Sequence, residues 1–436
     1  MLDIGSRLEL FVDEYLIDTM TGLRQELHHP EPREVALTFD AAWEGPTSCY
    51  ATVFRDGDRC RLYYRGSNHE GPDFHQVTCY AESPDGLHFT RPNLGLFEWN
   101  GTKENNIVWR GPGEHNFAPF LDANPACKPA ERYKALAGGP LIALFSPDAI
   151  HWQMIQKEPV ITKGAFDSDN LAFWDTVRGE YVSYLRDFAE GVRTIRRATS
   201  PDFVHWTRPE WLDYGSAPKE QLYTNAITPY FRAPHLYFGF PKRFVPERKA
   251  VPEHPYEGLS DGVFMCSRDG LHFRRYLEAF IRPGLDRNNW TERNMMPATG
   301  LIPTSPEEIA IYWVENYRHD TCRLRRGTIR TDGFVSVHAD YSGGELVTKP
   351  LTFSGQQLLI NYSTSAVGSV RVEVQDESGR PIPGFALADC PGIYGDEIEH
   401  VVAWKAGSDL SALAGKPARL RFVMTDADLY SLRFRG

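Results

Sequence analysis

Ser83-Pro84-Asp85-Gly86-Leu87-His88-Phe89 is the stretch from which the architecture of this chain can be read. It returns as Ser146-Pro147-Asp148-Ala149-Ile150-His151-Trp152, as Ser200-Pro201-Asp202-Phe203-Val204-His205-Trp206 and as Ser267-Arg268-Asp269-Gly270-Leu271-His272-Phe273. A degenerate fifth copy reads Arg330-Thr331-Asp332-Gly333-Phe334, and successive starts lie 63, 54, 67 and 63 residues apart. The chemistry is that of a tight hairpin turn: the Asp side chain bonds nearby backbone, Gly supplies positive φ, and the aromatic opens the next strand facing inward.

Working outward, each turn is preceded by a strand-like run: Val77 to Ala81, Leu141 to Phe145, Arg193 to Ala198, Gly262 to Cys266 and Cys322 to Ile329. Upstream of each lies another: Arg61 to Arg65, Tyr133 to Leu136, Tyr181 to Leu185, His235 to Phe238 and Ile309 to Trp313. A third run before these would be the innermost strand. Five four-stranded units repeating at this spacing predict a closed five-bladed β-propeller over residues 37–336. Long stretches with a 3.6-residue period are missing, so helices should be few. After residue 336 alternating strands with Gly, Asp and Ser turns predict a β-sandwich over 337–436. Residues 1–36 read as a closing segment, with Leu8 to Val12 as the strand that closes or caps the ring. The fold class is thus all-β.

The 436 residues are 42% hydrophobic and 13% aromatic, enough for packed interiors. A formal charge of −11 excludes a broad nucleic-acid-binding face. Seven cysteines with no Cys-x-x-Cys pair point away from a disulfide framework or a structural zinc. The start, Met1-Leu2-Asp3-Ile4-Gly5-Ser6-Arg7, lacks the basic and apolar regions of a signal peptide, and no run is apolar enough to span a membrane. The expectation is a cytoplasmic protein that does not engage membranes; a trimmed secreted chain would read alike.

In a propeller the starts of the innermost strands converge at one mouth. The polar residues expected there are Trp43 and Glu44 on blade one, His115 and Asn116 with Asp122 further along on blade two, Asp167 and Asp169 on blade three, Tyr223 and Asn225 on blade four, and Trp290, Glu292 and Arg293 on blade five. Second-strand charges Arg65, Arg186, Lys242 and Glu315 lie beside the channel. Carboxylates at such a mouth can cleave a glycosidic bond, one protonating the leaving oxygen while another attacks or activates water. Glu44, Asp167, Asp169 and Glu292 are the catalytic candidates, with Asp167 and Asp169 expected to point the same way because side chains alternate along a strand. Trp43, His115, Asn116, Arg186, Tyr223, Asn225, Lys242, Trp290, Arg293 and Glu315 are the expected substrate-binding set; Arg186 and Lys242 would hold an anionic substrate or tune the carboxylates. His88, His151, His205 and His272 recur at one position on separate blades and read as structural. No cofactor is expected, beyond a structural cation in the channel.

The motif Ser-x-Asp-Gly-x-x-Phe/Trp, after a strand ending in Ala or Cys, resembles that of five-bladed glycoside hydrolases, the invertase/levanase-like and arabinanase-like groups of families 32, 43 and 68. The resemblance covers most of residues 37–436 and implies a carboxylate base or nucleophile on blade one, where Glu44 stands, a stabilising carboxylate on blade two, where His115-Asn116 stands, and an acid on blade three, where Asp167 and Asp169 stand. Blade five adds Glu292, and the roles expected here are Glu44 as base or nucleophile, Asp167 or Asp169 as charge stabiliser or base, and Glu292 as the acid. The invertase signatures Trp-Met-Asn-Asp-Pro-Asn-Gly, Arg-Asp-Pro and Glu-Cys are absent from those places, which points away from fructosidase activity. The resemblance implies a glycosidase acting on an oligosaccharide or furanoside; the alternative is a non-catalytic sugar-binding propeller.

Overall fold

In the computed structural model, which describes residues 1–70 and 72–436, the chain divides into two units, one of residues 30–328 and one of residues 1–29 with 329–436. The divisions thus fall at 29/30 and 328/329, where the sequence suggested 36/37 and 336/337. Half-buried and buried strands dominate both units. Helical structure among the described residues is limited to four short 3₁₀ turns.

Residues 30–328 form five antiparallel sheets in chain order, a five-bladed propeller. Blade one is Cys49–Asp56, Arg59–Asn68, His75–Ser83 and Ile107–Trp109. Blade two is Ala118–Leu121, Tyr133–Gly138, Leu141–Ser146 and Gln153–Met154. Blade three is Leu171–Asp175, Glu180–Ala189, Val192–Ser200 and Glu210–Trp211. Blade four is broader, because its second strand is broken into Ala233–Gly239 and Lys242–Val245. Blade five runs from Met296–Pro297 through Glu308–Glu315 to Arg323–Arg330, and its last strand comes from the start of the unit: Glu31–Thr38 pairs antiparallel with Arg323–Arg330. The ring is therefore closed by Glu31–Thr38. The expectation for Leu8 to Val12 is corrected: Glu9 and Leu10 pair with Leu432 and Ser431 in the other unit, whose core takes Phe11.

The recurring turn does more than reverse the chain. In each of four copies the Ser hydroxyl accepts the backbone N–H three residues on, at 2.9 Å, and the Asp carboxylate accepts the N–H two residues on. The residue between is left-handed: Gly86, Ala149, Phe203 and Gly270 have φ of 81°, 71°, 68° and 79°. At three of these turns its carbonyl accepts a tyrosine hydroxyl from another blade's second strand: Tyr312 on Gly86, Tyr63 on Ala149 and Tyr184 on Gly270. The turn is thus a latch between blades, and the buried hydroxyl is satisfied where an unpaired one would cost stability. His151, His205 and His272 each hydrogen-bond their own turn's Asp, at 2.6–2.7 Å. The fifth copy differs. It lies in the other unit, and its left-handed residue is Asp332, φ 62°.

A second latch repeats at the far ends of the first strands. Asp56, Asp122 and Asp175 each accept the hydroxyl of a tyrosine on the next blade's second strand: Tyr133, Tyr181 and Tyr237. Each carboxylate is also paired with a cation, Arg61 at 2.6 Å, Lys134 at 2.6 Å and Arg178 at 2.9 Å respectively. Asp122 is accordingly a seam residue.

The other unit is built on two long strands, Gln357–Gln375 and Arg419–Arg435, paired along most of their length with an irregularity between Thr364 and Ser369. They belong to one eight-stranded hydrogen-bonded sheet, and a separate parallel pair joins Leu2–Gly5 to Leu351–Phe353. Phe11, Leu346, Val372, Trp404, Phe422 and Phe434 share its core.

Candidate active site

The five approaches to the innermost strands do converge. They enclose a cavity of about 320 Å³ lined by Cys49, Tyr50, Arg65, His69, His115, Asp167, Tyr223, Arg293, Met296 and Tyr317. That volume lies at the small end of the ~300–1,000 Å³ typical of small-molecule sites.

Asp167 is the carboxylate in this wall. Its side chain is 62% exposed, and Oδ1 receives His115 Nε2 at 2.7 Å and the Tyr50 hydroxyl at 3.4 Å. Arg65 Nη1 lies 3.1 Å from His115 Nδ1. Nδ1 also has Gln76 Oε1 at 2.9 Å, and because an ionised carboxylate can only accept, Nε2 carries a proton aimed at Asp167. The His115 hydrogen bond, with the charges of Arg186 and Arg65 adding, holds the Asp167 carboxyl well below the usual range. It is ionised throughout the neutral range.

Around it the site is rich in cations and tyrosines. The Tyr50 and Tyr223 hydroxyls are 3.3 Å apart. Arg65 lies over the Tyr50 ring at 4.8 Å, while Lys242, Arg186, Arg193 and Arg293 lie 4.1, 5.0, 5.6 and 5.9 Å from the centre of the Tyr223 ring. Such contacts stabilise cations on aromatic faces. The Lys242 side chain is fully buried, and burial together with Arg293 pushes its ammonium down to about 7. Burial and Arg65 likewise push His69 down to about 4, which keeps it neutral. Several backbones here are left-handed without glycine: Tyr50 at φ 53°, Arg293 at 58°, Met295 at 52° and Arg318 at 65°. Conformations of this kind persist where the surroundings impose them, and they gather at functional sites.

The remaining candidates are placed as follows. Glu292, adjacent to Arg293, is paired with Arg293 at 2.9 Å and with Arg318. Burial raises its carboxyl above the ordinary glutamate value against the pull of Arg293. Asp169 does not point with Asp167. The segment 166–170 is not a strand, because the Asn170 amide folds it back onto the carbonyls of Phe166 and Ser168, so the alternation argument does not apply. Asp169 is buried against Thr299 at 3.0 Å, its Oδ1 without a partner, and burial raises it to about 7.

Glu44 is not in the cavity wall. Arg91 clamps it through both carboxylate oxygens at 2.8 Å, Tyr64 donates at 2.5 Å and the Ala41 N–H at 3.0 Å, so its lone pairs are spent inside blade one. Trp43 donates to Asn106 at 2.6 Å in the same region. Asn116 ties the approaches of blades two and three through Gly138, Phe166 and Ser168, and Asn225 donates to the Asp169 carbonyl. Trp290 donates to the Gly284 carbonyl and is absent from the lining. Glu315 is held by Arg323 and Arg325 within blade five. Sequence reading missed Tyr50, His69, Arg193, Tyr317 and Arg318. Arg193 opens an expected strand, and that position was the available signal.

No family model matches the chain, and no curated protein is similar to it in sequence. Solved structures show a distant likeness. The neighbours include glycoside hydrolases. A glycoside hydrolase family 43 arabinoxylan arabinofuranohydrolase from Bacillus subtilis, in complex with cellotetraose, is 12% identical with a TM-score of 0.45, covering 93% of this chain and 99% of its own. A structure of BT0996 in its RGII complex is 13% identical with a TM-score of 0.49, covering 70% and 93%. A GH130 structure, from a family described as mannoside phosphorylases that contains hydrolases of β-1,2 mannosidic linkages in Candida mannan, is 15% identical with a TM-score of 0.40, covering 71% and 94%. At these identities and TM-scores the likeness assigns nothing to this chain, and the chemistry rests on its own residues.

Proposed function

We propose that the protein is a glycosidase whose reaction takes place in the cavity at the propeller mouth. The observation that carries this reading is an ionised carboxylate, Asp167, facing an aromatic and polar cavity and oriented by the Arg65–His115 pair. Asp167 is the group that attacks the anomeric carbon or draws a proton from the attacking water. Glu292, with its raised carboxyl, is the proton donor to the leaving oxygen. The net reaction adds water: the anomeric C–O bond breaks, the leaving oxygen takes the acid's proton, and the water oxygen bonds to the anomeric carbon. Asp169 is a neutral or partly charged carboxyl inside the channel and has no part in these steps. The alternative of a non-catalytic saccharide-binding propeller is favoured by one observation: both Glu292 oxygens are engaged by arginines, leaving Asp167 as the carboxylate facing the cavity.

Hydrolysis of chromogenic glycosides and oligosaccharide panels tests the choice. Asp167→Asn and Glu292→Gln are each expected to lower turnover about 10²–10⁴-fold, with unchanged circular dichroism. Wild-type rates in both variants would remove the catalytic assignment, and saccharide binding without turnover would select the alternative.

A further inference from the structure

Four cations at the mouth lack an acidic partner. Arg65 spends its donors on the Thr47 carbonyl, Cys49 and His115, and its Nε is buried without a partner. Arg186 donates to the Ala165 carbonyl. Arg193 donates to Gln221, and its Nε is again buried and unpartnered. Lys242 has the Arg293 carbonyl at 3.5 Å. Among the described residues none of the four is in ion-pair contact with a carboxylate. Arg293 shares Glu292 with Arg318, and Asp167 accepts its hydrogen bonds from His115 and Tyr50.

Arg65 and Arg293 line the cavity, Arg186, Arg193 and Lys242 stand against the Tyr223 ring beside it, and Asp167 is the carboxylate in the wall, in a chain whose formal charge is −11. Taking cations out of water without counter-charges is costly, and folded proteins rarely retain the arrangement unless it serves a ligand. The cost is visible in Lys242 and His69, both pushed toward their neutral forms. The missing negative charge must come from outside. A planar guanidinium pairs bidentately with a carboxylate, and the tyrosine faces beside it suit a sugar ring.

We infer that the saccharide held by this site is anionic, a glycan whose sugar unit in the cavity carries a carboxylate that lies among Arg65, Arg186, Arg193, Lys242 and Arg293. This rests on the saccharide reading above and narrows it to acidic glycans.

The test uses oligosaccharides from pectin, glucuronoxylan and alginate alongside the same preparations after chemical reduction of their carboxyl groups, with arabinan, xylan and mannan fragments as neutral controls. Binding by calorimetry and turnover are both measured. The expected result is that at least one acidic preparation binds and that reducing its carboxyls weakens binding by about tenfold to a hundredfold, the worth of one or two charge-assisted hydrogen bonds. Arg193→Gln and Lys242→Met should each reproduce much of that loss on the native preparation and change little on the reduced one. A preference for neutral or reduced fragments would overturn the inference while leaving the glycosidase reading intact. Acidic binding without turnover would sustain the inference and remove the glycosidase. Inorganic phosphate and sulfate are titrated alone, and tighter binding of either than of any acidic saccharide would also overturn it.

Discussion

The seams between blades and the mouth of the propeller use positive charge in opposite ways. At the seams Arg61, Lys134 and Arg178 each meet an aspartate that also accepts a tyrosine from the next blade. At the mouth Arg65, Arg186, Arg193 and Lys242 are held over tyrosine rings with no such partner. Both arrangements desolvate cations. The first is closed within the protein and joins blade to blade. The second is left open toward the cavity, where its electrostatic attraction is available to a ligand.

The contrast can be broken from the seam side. Asp122→Ala strands the buried Lys134 ammonium and leaves Tyr181 with one fewer acceptor. Loss of one member of a buried pair costs ~3–5 kcal/mol, so the unfolding free energy from denaturant titration should fall by that amount. The saccharide preference of the folded protein should stay the same; a changed preference would show that seam and mouth are not separable.

A second comparison is sharpened by pH. Asp169 is raised to about 7 by burial, against an ordinary aspartate value of ~3.9. Below ~pH 4 it is protonated in both states. Between there and about 7 the unfolded chain releases its proton and the folded one does not, so this group's stability is lost progressively as pH rises. Asp169→Asn removes that titration. Chemical denaturation should show the variant gaining on the wild type by up to ~3–4 kcal/mol between pH 4 and 8, and a pH-independent difference would contradict the assignment. The smallest effect is expected at Glu44. Glu44→Gln weakens the Arg91 clamp and should cost about 1–3 kcal/mol, while turnover per folded molecule remains at the wild-type level. A large drop in kcat at normal stability would return Glu44 to the reaction.

Particular residues show where the sequence was informative. The turn motif is a short-range pattern, and the structure uses it as a blade-to-blade latch, whereas Asp122, expected at the mouth, is a seam residue because its partners Tyr181 and Lys134 are brought to it by the fold. The approaches to the innermost strands were likewise readable, and His115, Asp167, Tyr223 and Arg293 all reach the cavity. Glu44 and Glu315 were misread because their fates depend on Arg91, Arg323 and Arg325, and nothing local to either glutamate announces a clamp. Tyr50 was missed because its left-handed backbone, φ 53°, interrupts the strand alternation, and a residue pattern does not display φ.

By itself the sequence determined the ring. A seven-residue turn carries its own hydrogen-bond chemistry, so its recurrence dictates hairpins and hence blades wherever it occurs. Only the tertiary structure decided which charges stay unpaired at the mouth, because an ion pair depends on distance in space, and the groups that could neutralise Arg65, Arg186, Arg193 and Lys242 are drawn off to seams and clamps elsewhere in the ring.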